Sequence, residues 1–128
     1  MSVRVYPAVV VSVHDGDTAT VSVDQGWSNS RLCVIRLWGM NAIELAQPGG
    51  PEARDHLMAM LPVGLPVTLI SHGWDKYGDR TDGQIILPNG VDTGIQMIAD
   101  GYAAAWTGKG PRPVPPWPIP VPASKEGA

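Results

Sequence analysis

Cysteine is almost missing from this chain of 128 residues. Cys33 stands alone, which excludes an internal disulfide and a cysteine-based zinc cluster. Long apolar runs are missing too: no stretch reaches the roughly 18 consecutive residues that a spanning helix needs. The opening MSVRVYPAVVVSV carries one Arg and alternates like a strand, without a small-residue cleavage site. A signal peptide is therefore not expected, and a cytoplasmic location is. Positive charge is in short supply, with nine Lys plus Arg against twelve Asp plus Glu, a net charge of -3 and a pI near 5.4. Proteins that bind polyanions tightly and without specificity show the opposite balance. An enzyme that grips one phosphate locally and gathers acids around a cation is compatible with it. No H-x-x-x-H spacing, phosphate-cradling glycine loop or nucleophile elbow occurs.

What is present reads as one domain of mainly β structure with a core, since 44% of the residues are hydrophobic and the length suffices to bury one. VRVYPAVVVSV (3–13) and TATVSV (18–23) are β-branched runs on either side of Asp15-Gly16-Asp17, the pattern of a hairpin. RLCVIRLWG (31–39) follows the GWSNS turn as a third strand, with Trp38 expected to pack. PVTLI (66–70) and QIIL (84–87) are the fourth and fifth strands. PEARDHLMAML (51–61) reads as a helix: Pro51 suits a first turn, and Ala53, Leu57, Met60 and Leu61 recur at spacings of three and four. VDTGIQMIADG (91–101) reads as a second helix, with Ile95, Met97 and Ile98 apolar and Gly101 as its cap. The order βββ-α-ββ-α fits a five-stranded barrel of the oligonucleotide-binding (OB) type. After Gly110 the composition changes: seven of the thirteen prolines fall in residues 111–128. That segment is expected to be an extended, polyproline-like tail outside a 1–110 domain, either flexible, strapped onto the barrel or offered to a protein partner.

Four pieces bear on chemistry: Asp15-Gly16-Asp17-Thr18, Arg36, Glu44 and Arg80. Each has a bland reading by itself, as a turn, a surface charge or a solvated acid. Two carboxylates one residue apart also suit a hard cation that takes oxygen ligands. Planar guanidinium groups meet two phosphate oxygens at once, and a lone carboxylate serves to orient or deprotonate a water.

Read in order, DGDT, IRLWGMNAIE, GPEA, DKYGDR and IQMIADGYA give the chain its resemblance to the staphylococcal nuclease (thermonuclease) family, over roughly residues 8 to 107. It looks like the short members that lack a third, C-terminal helix. The resemblance implies calcium-dependent hydrolysis of phosphodiester bonds in DNA or RNA, with little sequence specificity. It implies Asp17 as a calcium ligand, Asp15 close by, Asn41 at a second ligand position and Ala42 offering its carbonyl. Glu44 matches the glutamate that handles the attacking water, and Arg36 and Arg80 the arginines that hold the phosphate. Lys76, Tyr77 and Trp106 fall near positions that contact the rest of the substrate; each also reads as ordinary loop or packing. Asn41 stands where the family has Asp, Ile43 where it has Pro, and Asp79 adds a residue before Arg80. A monomer is expected. The alternative is the same barrel with a weakened metal site, binding nucleic acid or a protein partner.

Overall fold

The computed structural model describes residues 3–74 and 80–114; Lys76, Tyr77 and the tail from residue 115 onward lie outside the described residues. Strands β1 (Arg4–Asp15), β2 (Thr18–Gly26) and β3 (Asn29–Leu37) form the expected antiparallel meander. After short β4 (Met40–Ala42) comes helix α1 (Gly50–Met60), then β5 (Pro66–Trp74), β6 (Thr81–Ile86), helix α2 (Thr93–Ala99) and β7 (Ala103–Ala105). The barrel closes in the order β1-β2-β3-β6-β5, with β1 antiparallel to β5 and β3 parallel to β6. This is the OB-like, five-stranded barrel with two helices that the sequence led one to expect.

Alternation along the strands builds its interior. Val10, Ala19, Val21, Ile35, Leu37, Leu69 and Ile85 are all 2% exposed or less, because successive strand residues face opposite sides. Helix α1 seals one end with Ala53, Leu57 and Leu61, while Met60 is only half-buried. Leu57 is fully buried, and a leucine in that setting is worth about 2–5 kcal/mol against truncation to alanine.

Three expectations need correction. The third strand stops at Leu37 instead of running to 39, so Trp38 enters a turn. It is 52% exposed and stacked on His72 at 4.3 Å, rather than packed inside. Ile95 does not face the core either. The Asp92 side chain caps α2 by accepting from the Gly94 and Ile95 N–H groups, and the Thr93 hydroxyl donates to the Ile85 carbonyl. Those bonds set the helix phase so that Thr93, Gly94 and Met97 are buried and Ile95 is 65% exposed. The helix does end at Gly101, where the Gly101 and Tyr102 N–H groups donate to the Ile98 and Met97 carbonyls in a Schellman arrangement. The third correction adds an element: β4 and β7 pair as a separate two-stranded ribbon.

Among the described residues no helix is long and apolar enough to cross a membrane.

Candidate functional site

The β1–β2 turn is where the site begins. Asp15 pairs with Thr18, leaving Gly16 and Asp17 as the two-residue connection. Neither has a positive φ, so left-handed backbone is not the reason for the glycine here. A Cβ on Gly16 would lie 2.8 Å from the Ala42 Cβ and 3.0 Å from the Ala53 Cβ. The missing side chain lets the acidic turn press against both β4 and α1. Asp15 Oδ1 accepts from the Asp17 N–H at 3.1 Å, which holds the turn in shape.

That approach puts Asp17 into the interior beside β4. Its Oδ1 accepts from the Thr18 hydroxyl at 3.0 Å, and its Oδ2 accepts from the Ala42 N–H at 3.2 Å. Arg36 reaches the same carboxylate from β3, with Nη2 3.6 Å from Oδ2. Arg36 arrives there because it lies directly opposite Thr18 across the β2–β3 ladder. Burial, then the Asp15 carboxyl beside it, pushes Asp17 up to about 6, against the opposing pull of Arg36 and the Ala42 N–H. The ion pair with Arg36 thus falls short of compensating desolvation.

Asn41, on β4, is 4% exposed and uses both ends of its amide. Its Oδ1 accepts from Arg36 Nη2 at 3.3 Å, and its Nδ2 donates to the Pro113 carbonyl at 3.1 Å. Glu44 follows on the loop from β4 to α1. The fold of that loop depends on Gly50, whose absent Cβ would fall 2.0 Å from the Glu44 carbonyl oxygen. The Glu44 carbonyl accepts from Gln47 N, and Gly50 N donates to the Gln47 carbonyl. The Glu44 side chain points outward, 60% exposed, with Oε1 3.4 Å from Arg112 Nη1.

These groups line one cavity of about 220 Å³, where Asp15, Asp17 and Glu44 meet Arg36, Arg80 and Arg112. Volume does not single it out, since shallow grooves of about 420 and 500 Å³ lie elsewhere. What distinguishes it is the convergence of ionisable groups from four separated parts of the chain. Six of the residues singled out in the sequence are brought together here: Asp15, Asp17, Arg36, Asn41, Glu44 and Arg80. Ala42 lies in the same wall. Trp106 sits just beyond, its ring 5.5 Å from the Arg36 guanidinium carbon and 5.4 Å from that of Arg112. Arg112 was missed from the sequence, where it is one basic residue in a proline run.

The donors suit a hard cation better than a soft one. Two neighbouring carboxylates, one with its proton affinity raised by burial and by the other, would be eased by a divalent ion, and Asn41 and Ala42 line the same cavity. Among the described residues no group of three His, Cys, Asp or Glu side chains is gathered for a metal. Such an ion would therefore rely on Asp17, Asp15, the Asn41 Oδ1 and the Ala42 carbonyl, completed by water or substrate oxygens.

A scan against models of known protein families finds no match, and a search of curated proteins also finds none.

Proposed function

We propose that the protein is a calcium-dependent nuclease of the thermonuclease type, hydrolysing phosphodiester bonds of DNA or RNA with little sequence preference. The observation that carries this reading is the single cavity shared by an acidic pair, a separate exposed carboxylate and the arginines of β3 and the β5–β6 connection. Arg36 and Arg80 would hold the non-bridging oxygens, whose negative charge grows during displacement. Glu44 would orient a water and take its proton as the water oxygen bonds to phosphorus and the opposite P–O bond breaks. A divalent ion held by Asp17 and Asp15 would supply a compact positive charge next to the same oxygens. Trp106 would offer a face on which a base stacks.

The decisive experiment is cleavage of single-stranded and duplex DNA, and of RNA, in calcium against EDTA, with Glu44→Gln and Arg36→Ala alongside. Calcium-stimulated cleavage that falls by about 100-fold or more in Glu44→Gln is the expected result. No cleavage in calcium, magnesium or manganese by folded protein would overturn the reading. One observation favours a second reading, a binding module without turnover: Glu44 is already paired with Arg112, and both ends of the Asn41 amide are engaged. That reading expects oligonucleotide binding in EDTA and no hydrolysis under any metal.

A further inference from the structure

The start of the proline-rich segment does not leave the domain. The Trp106 N–H donates to the Gly39 carbonyl, extending the β4–β7 ribbon by one residue. Its indole N–H then donates to the Lys109 carbonyl at 3.1 Å, closing a tight turn over 106–109. From there the chain runs back across the cavity to Pro113, whose carbonyl is held by buried Asn41. Arg112 lies between two prolines, so its backbone is confined to extended conformations before it meets anything. Its guanidinium is delivered over the Trp106 ring and into the mouth of the cavity.

We propose that Arg112 is a third phosphate-binding residue of this site, carried into place by a strap formed by residues 106–113 and latched by Asn41. The inference rests on the nuclease reading above for the identity of the ligand as a phosphodiester. Three features argue for it. The guanidinium already shares the cavity with Arg36 and Arg80. Its present partner is weak: the contact with Glu44 is 3.4 Å long and both side chains are about half exposed, so an entering phosphate, a bidentate acceptor for guanidinium, displaces it readily. The strap also explains the amide at position 41. A carboxylate there would face the Pro113 carbonyl with no proton to donate, whereas Asn41 accepts from Arg36 and donates to the strap at once. Turning from Glu44 to the phosphate, Arg112 would release the carboxylate that the chemistry needs.

The test uses the full chain in a Glu44→Gln background, which removes both hydrolysis and the competing carboxylate. A fluorescent single-stranded oligodeoxynucleotide is titrated in EDTA at several salt concentrations. Adding Arg112→Ala is expected to weaken binding about tenfold and to lower the salt slope by about 0.7, one phosphate contact on a single strand. Arg112→Lys should restore the slope but only part of the affinity, because it keeps the charge and loses the planar fork. Arg36→Lys serves as the reference for the pocket itself. If Arg36→Lys weakens binding while Arg112→Ala leaves affinity and slope unchanged, the strap arginine is not a contact and only the present inference falls. If neither substitution matters in EDTA or when the titration is repeated in calcium, the cavity is not a phosphate site and the nuclease reading falls with it. Tighter binding by Arg112→Ala would mean that the strap obstructs the site, and would likewise overturn the proposal.

Discussion

Replacing Asp17 by Asn separates the stability of the site from its chemistry. Asp17 is buried and carries a proton affinity raised from 3.8 to about 6, so the folded state holds this proton to higher pH than the unfolded chain does. Stability from that proton is full below about pH 4 and is lost as pH rises through 6. A shift of about two pKa units corresponds to about 3 kcal/mol disfavouring the ionised native protein above that range. Asparagine imitates the neutral form. Its oxygen keeps the Ala42 N–H, its amide N–H donates to the Thr18 hydroxyl, and only Arg36 loses a charge partner. At pH 7.5 in EDTA the variant should therefore gain about 1–3 kcal/mol, or roughly 4–12 °C in melting temperature for a chain of this length. At pH 4 the gain should nearly vanish. If Asp17 is the central ligand of the proposed ion, calcium at about 100 times its dissociation constant should stabilise the parent by about 2.7 kcal/mol and the variant by much less, cancelling most or all of that gain. Thermal unfolding of both proteins at pH 4, 5, 6 and 7.5, with and without calcium, checks each arm. A variant equally destabilised at every pH in EDTA would refute the reasoning. It would mean that Asp17 is a satisfied structural partner of Arg36 and not a strained, cation-seeking acid.

Two further substitutions probe how the site is held. Gly16→Ala forces a methyl group to within 2.8 Å of Ala42 and 3.0 Å of Ala53, and should cost about 1–3 kcal/mol in urea unfolding while misplacing Asp17; an unchanged midpoint would show that the turn does not bear on β4 and α1 as described. Asn41→Asp adds a buried carboxylate next to Asp17 and removes the donor to Pro113. It should lower the melting temperature in EDTA yet enlarge the rise produced by calcium, and a calcium response no larger than the parent's would remove Asn41 from the proposed metal ligands.

Local chemistry made most of the barrel legible in advance. Apolar and β-branched runs marked β1, β2, β3, the first half of β5 and the second half of β6, whereas Ser71–Trp74 and Thr81–Gly83 were too polar to read as strand. An Asp-Gly pair marked the first turn, and a three-and-four spacing marked α1, because each signal is complete within a few neighbouring residues. The order of those elements was enough to imply five strands closing as an OB-like barrel. The features that escaped are those that depend on distant partners. Three-residue strands such as Met40–Ala42 and Ala103–Ala105 are too short for any period, and exist because each supplies the other's hydrogen bonds. The phase of α2, and with it the exposure of Ile95, was decided by Asp92 and by Thr93 bonding back to Ile85. In the site, the sequence by itself supplied the acids and two of the arginines. Only the tertiary structure decided that Gly16 serves close packing, that Asn41 grips a backbone carbonyl 72 residues away, and that Arg112 faces Glu44 across 68. Residue types and short spacings determine what chemistry a chain can hold, whereas contacts made over such separations exist only once the barrel has closed.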